Sequence, residues 1–504
     1  MKKRILLKEG VNIEMKSKSR KLLIMISLFG LLIYGIIQST NSTKTSIDSK
    51  DQFTYASVMK ETIPHYQLDV EYQEKEQLLN GKMELIFANQ TGTTLNEIYF
   101  HLFPNAFQNW KWEKENKPQS VGYILIDKVT IDGINTYPHQ NGTLLKVNLP
   151  KPLDQNKMTR IQMDFKLKLP TKGLRLSAIN HTVFLAQWYP MLAVYDHAGW
   201  HLDPYTTVGD PFFSTVADFD IKIKLPKGFR VISTAVDPDQ NIQQNNEILL
   251  SQNKVRDFAM VITKEYEKIT AMTKQGIKTN LWYLTGQQEV APMLLGGALE
   301  AMDFYQSYFG QYPMKEIDIV LGNSSYGIAG MEYPGLVTSD PVTKIKDTTV
   351  PALDVVAHEL AHQWWYSTVG NDQVKEPWLD EGLTTFSEYL YSEKVMKKTN
   401  MNAMMNRIKT ITDQMATTSK VSVVQSIYSF GDLYGPFVYA RPGAMLWNLK
   451  NQVGDQKMMQ IMQTYYQKYQ FKVATTQDFI QTVNQVVGKD MTPFFREWLL
   501  INEK

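Results

Sequence analysis

Cysteine is absent from this 504-residue chain. That absence excludes a disulfide framework, a thiolate metal site, a cysteine nucleophile and a lipidated N-terminal cysteine. Histidine is scarce as well, with eight in all and none after His362. Any metal must therefore be held by imidazole and carboxylate groups. An excess of one charge is also lacking: 53 Lys and Arg stand against 51 Asp and Glu, so no net charge points to a nucleic-acid partner. Eight of those cations but only two of the acids lie in residues 1–21, which leaves the remainder near −4. What is present, 43% apolar, 12% aromatic and 21% charged, excludes disorder, collagen and a polytopic membrane protein. The length exceeds the ~250–300 residues of a single core, so two folded units are expected.

The basic segment 1–21 reads as cytoplasmic, because a charge-free run of sixteen residues follows it, Leu22 to Ile37. With cations ahead of the run, the positive-inside rule sends the rest of the chain outward. No small-x-small cleavage site follows, so 22–38 is expected to be an uncleaved single-pass anchor in the cell membrane, with the body of the chain extracytoplasmic. A cleaved signal, giving a secreted protein, is the alternative, and Met15 is a second candidate start. Residues 39–55 are a polar linker. From 56 to 270 the apolar period is two: Tyr66, Leu68, Val70 and Tyr72 alternate with polar residues, as do Phe219, Ile221 and Ile223. Asn80-Gly81 predicts a turn there, and the region reads as an antiparallel β domain. From 271 to 504 the pattern is mainly helical, with Leu294, Leu295, Ala298, Met302 and Tyr305 on one face and a buried strand at 317–321. Thr475 and Asp478 predict a capping box, and Thr492-Pro493 an N-cap followed by a first-turn proline.

Chemistry concentrates in His358-Glu359-Leu360-Ala361-His362. Histidines at i and i+4 share one helical face and can reach a single ion, for which zinc is suited. Glu359 lies beside them as a general base toward a water that the metal acidifies. A third ligand is required, and eighteen residues separate His362 from Glu381. Asp380 competes with Glu381 for that place.

This pattern resembles the gluzincin aminopeptidase family, which includes aminopeptidase N and the leukotriene epoxide hydrolase. A second family signature, G-A-M-E-N, is approximated by Ala329-Gly330-Met331-Glu332-Tyr333, with Tyr333 in place of Asn. The resemblance implies a thermolysin-like α+β catalytic domain, one Zn2+ per chain and peptide substrates. It further implies a substrate site at Gly330, Met331 and Glu332, with Glu332 gripping the α-ammonium. Tyr439-Ala440-Arg441-Pro442-Gly443-Ala444 is similar to the segment carrying the family's oxyanion-stabilising tyrosine, which implies that role for Tyr439, with Tyr434 its rival. Phe184 to Pro190 resembles the segment of a substrate-contacting glutamine, here Gln187. An acidic residue often follows two positions later, where this chain has Tyr189. Phe494 to Leu499 resembles the end of the family's catalytic domain, so a further helical domain is expected to be missing and the site to be more open. An endopeptidase and an inactive peptide-binding module are the competing functions. Epoxide hydrolysis, performed in one branch of the family, has no supporting residue in the sequence.

Overall fold

A computed structural model describes residues 63–112, 117–237, 246–322, 329–340, 343–345, 348–350 and 352–501. The basic segment 1–21, the expected anchor 22–38 and the linker 39–55 lie outside them. Among the described residues no helix is long and apolar enough to cross a membrane.

The alternation read in the first half produces strands whose apolar side chains enter a common core. A seven-stranded sheet runs in the order Glu247–Val255, Ala217–Lys224, His65–Gln73, Leu78–Ala88, Met158–Lys168, Tyr123–Ile131 and Ile134–Thr136. His65–Gln73 alternates strictly, with Tyr66, Leu68, Val70 and Tyr72 buried. The sheet is not wholly antiparallel, as expected from the sequence. His65–Gln73 pairs with Ala217–Lys224 in parallel, Leu68 opposite Ile221. Such a pairing joins strands far apart in sequence, so no local turn signal announces it.

The turn expected at Asn80-Gly81 is also displaced. The chain reverses at residues 74–77, with Gln77 at φ 47°, and Asn80 and Gly81 lie inside Leu78–Ala88. Gly81 opposes Phe165 on the adjoining strand. A Cβ there would stand 2.1 Å from the ring, so the glycine makes room for a cross-strand aromatic.

The second half contains a five-stranded mixed sheet, in the order Glu267–Met272, Lys278–Tyr283, Glu316–Leu321, Leu336–Ser339 and Gly330–Met331. Eight α-helices accompany it among the described residues: α1 (Ala291–Phe309), α2 (Ala352–Ala361), α3 (Trp378–Lys394), α4 (Met401–Ser419), α5 (Arg441–Val453), α6 (Asp455–Tyr469), α7 (Thr476–Val487) and α8 (Thr492–Leu499). Thr475 and Asp478 form the expected capping box of α7. At α8 the helix starts on Thr492 itself, with Met491 at the cap position and no side-chain cap bond.

Two features fix the β-rich half against the helical half. Phe184, Val261 and Tyr266 share a core with Trp282, Val320, Met331 and Tyr333. Arg256, 3% exposed, donates to the carbonyls of Ser214, Tyr366, Thr368 and Lys472. A buried guanidinium satisfied by carbonyls from both halves resists their separation, because parting them would strand its donors.

Candidate active site

Helix α2 ends at Ala361, and the next turn tightens as Gln363 N–H bonds to Leu360 O at 3.2 Å. His362 thus stands just past the helix end, while its own N–H still reaches His358 O at 3.4 Å. The imidazoles are aligned by their outer nitrogens. His358 Nδ1 lies 3.2 Å from Glu388 Oε2, and His362 Nδ1 lies 3.0 Å from Trp365 O and 3.1 Å from Thr384 Oγ1. With Nδ1–H donated outward, each ring turns Nε2 inward. Both Nε2 atoms lie 3.3 Å from the same atom, Glu381 Oε2. Ligand atoms of His358, His362 and Glu381 all fall within 4.8 Å of one another. Two imidazole Nε2 atoms and one carboxylate, oriented from behind, form a donor set that fits zinc.

Asp380 takes a different position. Its Oδ1 accepts the N–H of Glu381 at 2.8 Å, and it is absent from the ligand triad.

Electrostatics tie these groups together. Burial disfavours charge on His362, but the Glu381 and Glu332 carboxylates outweigh it and push its pKa up to about 9. Burial likewise acts against the Glu381 carboxylate, and the two histidines reverse it and hold its pKa below the usual range. Burial raises Glu359 to about 7 against the pull of the same histidines. Glu359 packs on the edge strand Gly330–Met331, where a Cβ on Gly330 would fall 2.4 Å from Glu359 Oε1. Only glycine at 330 leaves the carboxylate in this place.

Glu332 follows directly after this edge strand. It is 6% exposed, lines the cavity, and its carboxylate takes no protein hydrogen bond among the described residues. Burial, then the nearby Asp210 carboxylate, raise its pKa well above the usual range. Gln363 fixes the loop behind it, donating to Glu332 O and Tyr333 O at 3.3 and 3.1 Å and accepting Gly335 N–H at 2.9 Å. Met331 lies beside Glu332 on the cavity wall.

Tyr439 sits in a π-helical segment, Gly435–Ala440, ahead of α5, and its hydroxyl donates to Glu381 Oε1 at 2.5 Å. Such segments re-aim side chains within an otherwise helical path. Tyr434 also lines the cavity, but its hydroxyl lies against Gly209 of the β-rich half. Gln187 is not brought in. Its Nε2 donates to Asp257 Oδ2 at 2.7 Å in the core, and Tyr189 OH reaches Asp257 Oδ1 at 3.2 Å. The cavity, of about 550 Å³, is lined by the triad, Glu359, Gly330, Met331, Glu332 and Tyr439, together with Arg175 and Asp210. The sequence reading missed Gln363, Glu388, Arg175 and Asp210. Glu388 had a local signal, since it falls two turns after Glu381 on the same helix; Arg175 and Asp210 had none.

These elements define a gluzincin-type metallopeptidase fold and donor set. Residues 294–498 match the Peptidase family M1 domain. The chain is thus similar to the gluzincin aminopeptidases of aminopeptidase N type. It is 22% identical over 303 residues to aminopeptidase N of Haemonchus contortus and 22% identical over 315 residues to aminopeptidase N of Lactococcus lactis subsp. lactis. Those alignments take in 55% and 59% of this chain but 31% and 37% of the relatives, so the chain spans about a third of their length. The M1 zinc metallopeptidase from Deinococcus radiodurans shares the fold, with a TM-score of 0.62, 18% identity and 87% and 93% of the two chains covered. A variant of that protein has been captured with a Tyr-Ser-Ala substrate, with a TM-score of 0.61, 17% identity and 87% and 94% coverage.

Proposed function

We propose that this chain is a zinc-dependent aminopeptidase that removes the first residue of peptides. The observation that carries the reading is one cavity holding a His2Glu donor set, a buried Glu359 beside it, and the buried carboxylate of Glu332, which takes no protein hydrogen bond among the described residues. His358, His362 and Glu381 would hold one zinc ion, which when bound polarises a carbonyl and acidifies a water. Glu359 accepts the proton of the attacking water and returns it to the departing amine nitrogen. Burial raises Glu359 above the ordinary carboxylate range, which favours a group that both takes and returns a proton. The Tyr439 hydroxyl donates to the oxygen that becomes negative as the carbonyl is attacked. Glu332 pairs with the α-ammonium and sets the first peptide bond, rather than an internal one, against Glu359.

Glu332→Ala tests the exopeptidase character. A charge-assisted contact of ~1.5–3 kcal/mol corresponds to roughly a 10–150-fold loss in kcat/KM on amino-acid anilides. Zinc content should stay constant, and N-acetylated anilides, which carry no cation, should lose little. Equal wild-type turnover of blocked and free substrates would overturn the assignment in favour of an endopeptidase.

We infer as well that the body is held at the outer face of the cell membrane by 22–38. The support is the basic segment followed by the charge-free apolar run. Full-length protein should then remain in the membrane fraction after carbonate extraction and be released by deletion of 1–38. Recovery of the intact chain in the soluble fraction would remove the anchor.

A further inference from the structure

The groups around the donor set give the cavity a direction. Glu332, Glu359 and His362 present atoms within 4.8 Å of one another, so the proposed amine end lies on the His362 side. His358 bounds the other side, where Glu388 Oε2 is 3.2 Å from its Nδ1. A peptide held at Glu332 and attacked at its first bond therefore departs over His358. There the wall is formed by Asp354, Val355, Glu388, Tyr389 and Met404.

Met404 belongs to α4, and it is 45% exposed although it lines the cavity. Ile411, seven residues on, is 40% exposed. Seven residues are close to two full turns, so both side chains stand on one helical face. Ile408 and Met415 continue the row, half-buried against the core. A neighbouring face anchors the helix: Met401, Met405 and Thr412 are buried, and Thr412 Oγ1 accepts Arg441 Nη1–H at 3.0 Å. The other exposed positions of α4 are mostly polar, among them Asn402, Arg407, Thr410 and Gln414.

We propose that this row on α4 is an exosite for the departing part of the peptide, and that it takes apolar side chains. The inference rests on the aminopeptidase reading and deepens it. Continuity decides the occupant, since the row starts at a residue already on the cavity wall. Size argues against a second copy of the chain. Two side chains less than half exposed cannot supply the ~800 Å² per partner of a standard interface. From Met404 to Ile411 the helix rises ~10 Å, about the length of three residues of extended peptide. Apolar side chains laid along it leave water, whereas serine side chains gain nothing there.

The test compares two heptapeptides, Leu-Ala-Ala-X-X-X-Lys with X either valine or serine, beside leucine p-nitroanilide, which is too short to reach Ile411. The first cut is followed by mass as loss of the N-terminal leucine. The wild type is expected to shorten the valine peptide with about tenfold higher kcat/KM than the serine peptide, mainly through KM. Ile411→Ser, at an exposed position outside the cavity, is expected to bring that ratio near one and leave anilide turnover unchanged. A wild-type ratio near one, or a ratio that survives Ile411→Ser, would overturn the exosite and leave the aminopeptidase reading standing. A wild-type dimer that Ile411→Ser dissociates would assign the row to a second copy and overturn the exosite as well. If the peptides are cut internally, or if neither they nor the anilide lose leucine, the aminopeptidase reading fails and takes the inference with it.

Discussion

Glu359→Gln is expected to keep its zinc and its fold while losing ~10²–10⁴ in kcat, the range for a general acid–base group. The amide is nearly the shape of the carboxylate, so it can occupy the gap beside Gly330 without moving the strand. It cannot accept a proton at neutral pH. The histidines and Glu381 are untouched, so metal content should stay at the wild-type level. KM should change little, since Glu359 is not the group that grips the amine. Steady-state kinetics beside elemental analysis decide the matter. Turnover near wild type in a fully metallated variant would end the proposed mechanism.

Glu381→Ala should have an effect of similar or greater size, by another route. It removes the one carboxylate placed 3.3 Å from both inward nitrogens, and it deprives the Tyr439 hydroxyl of its partner. Loss of a partner behind a metal ligand already costs 10–100-fold in affinity or activity, and loss of the ligand itself should cost at least ~10²-fold. Because a metal bound only to the folded state stabilises it by mass action, a chelator should lower the Tm of the wild type. The variant should melt at one temperature with and without chelator. Full zinc occupancy in Glu381→Ala, or a chelator-dependent Tm, would remove Glu381 from the site. The same measurement on Asp380→Ala should give the wild-type pattern, since Asp380 is committed to the N–H of Glu381.

The parts of this site that are legible in the sequence are those that helical geometry brings together. His358, Glu359 and His362 lie within a turn or so of one another, so a periodic pattern suffices to group them. Glu381 requires one further helix and was reached through a spacing. Gly330, Met331 and Glu332 were legible only by resemblance; the reason for Gly330, room for Glu359, appears when the two segments meet. Arg175 and Asp210 reach the cavity through packing of the β-rich half on the helical half, and such contacts leave no periodicity behind. Gln187 shows the reverse error. At φ 48° its backbone turns the amide toward Asp257, a reorientation that a motif cannot report. In the fold, strand alternation fixed inward and outward faces over residues such as Phe219 to Ile223. Partners were a different matter: the parallel neighbour of His65–Gln73 is more than a hundred residues away, and Asn80-Gly81 mimics a turn because Phe165 needs the space.

The edge strand Gly330–Met331 touches the proposed proton acceptor at one end and carries the proposed amine anchor just beyond the other. It therefore acts as a calliper whose jaws are Glu359 and Glu332. Their separation is written into a stretch of backbone pinned to Leu336–Ser339 by Met331 opposite Thr338 and braced from behind by Gln363. Each cut would then be measured from the free end of the peptide, so long substrates would be shortened in equal steps of one residue, whatever their total length.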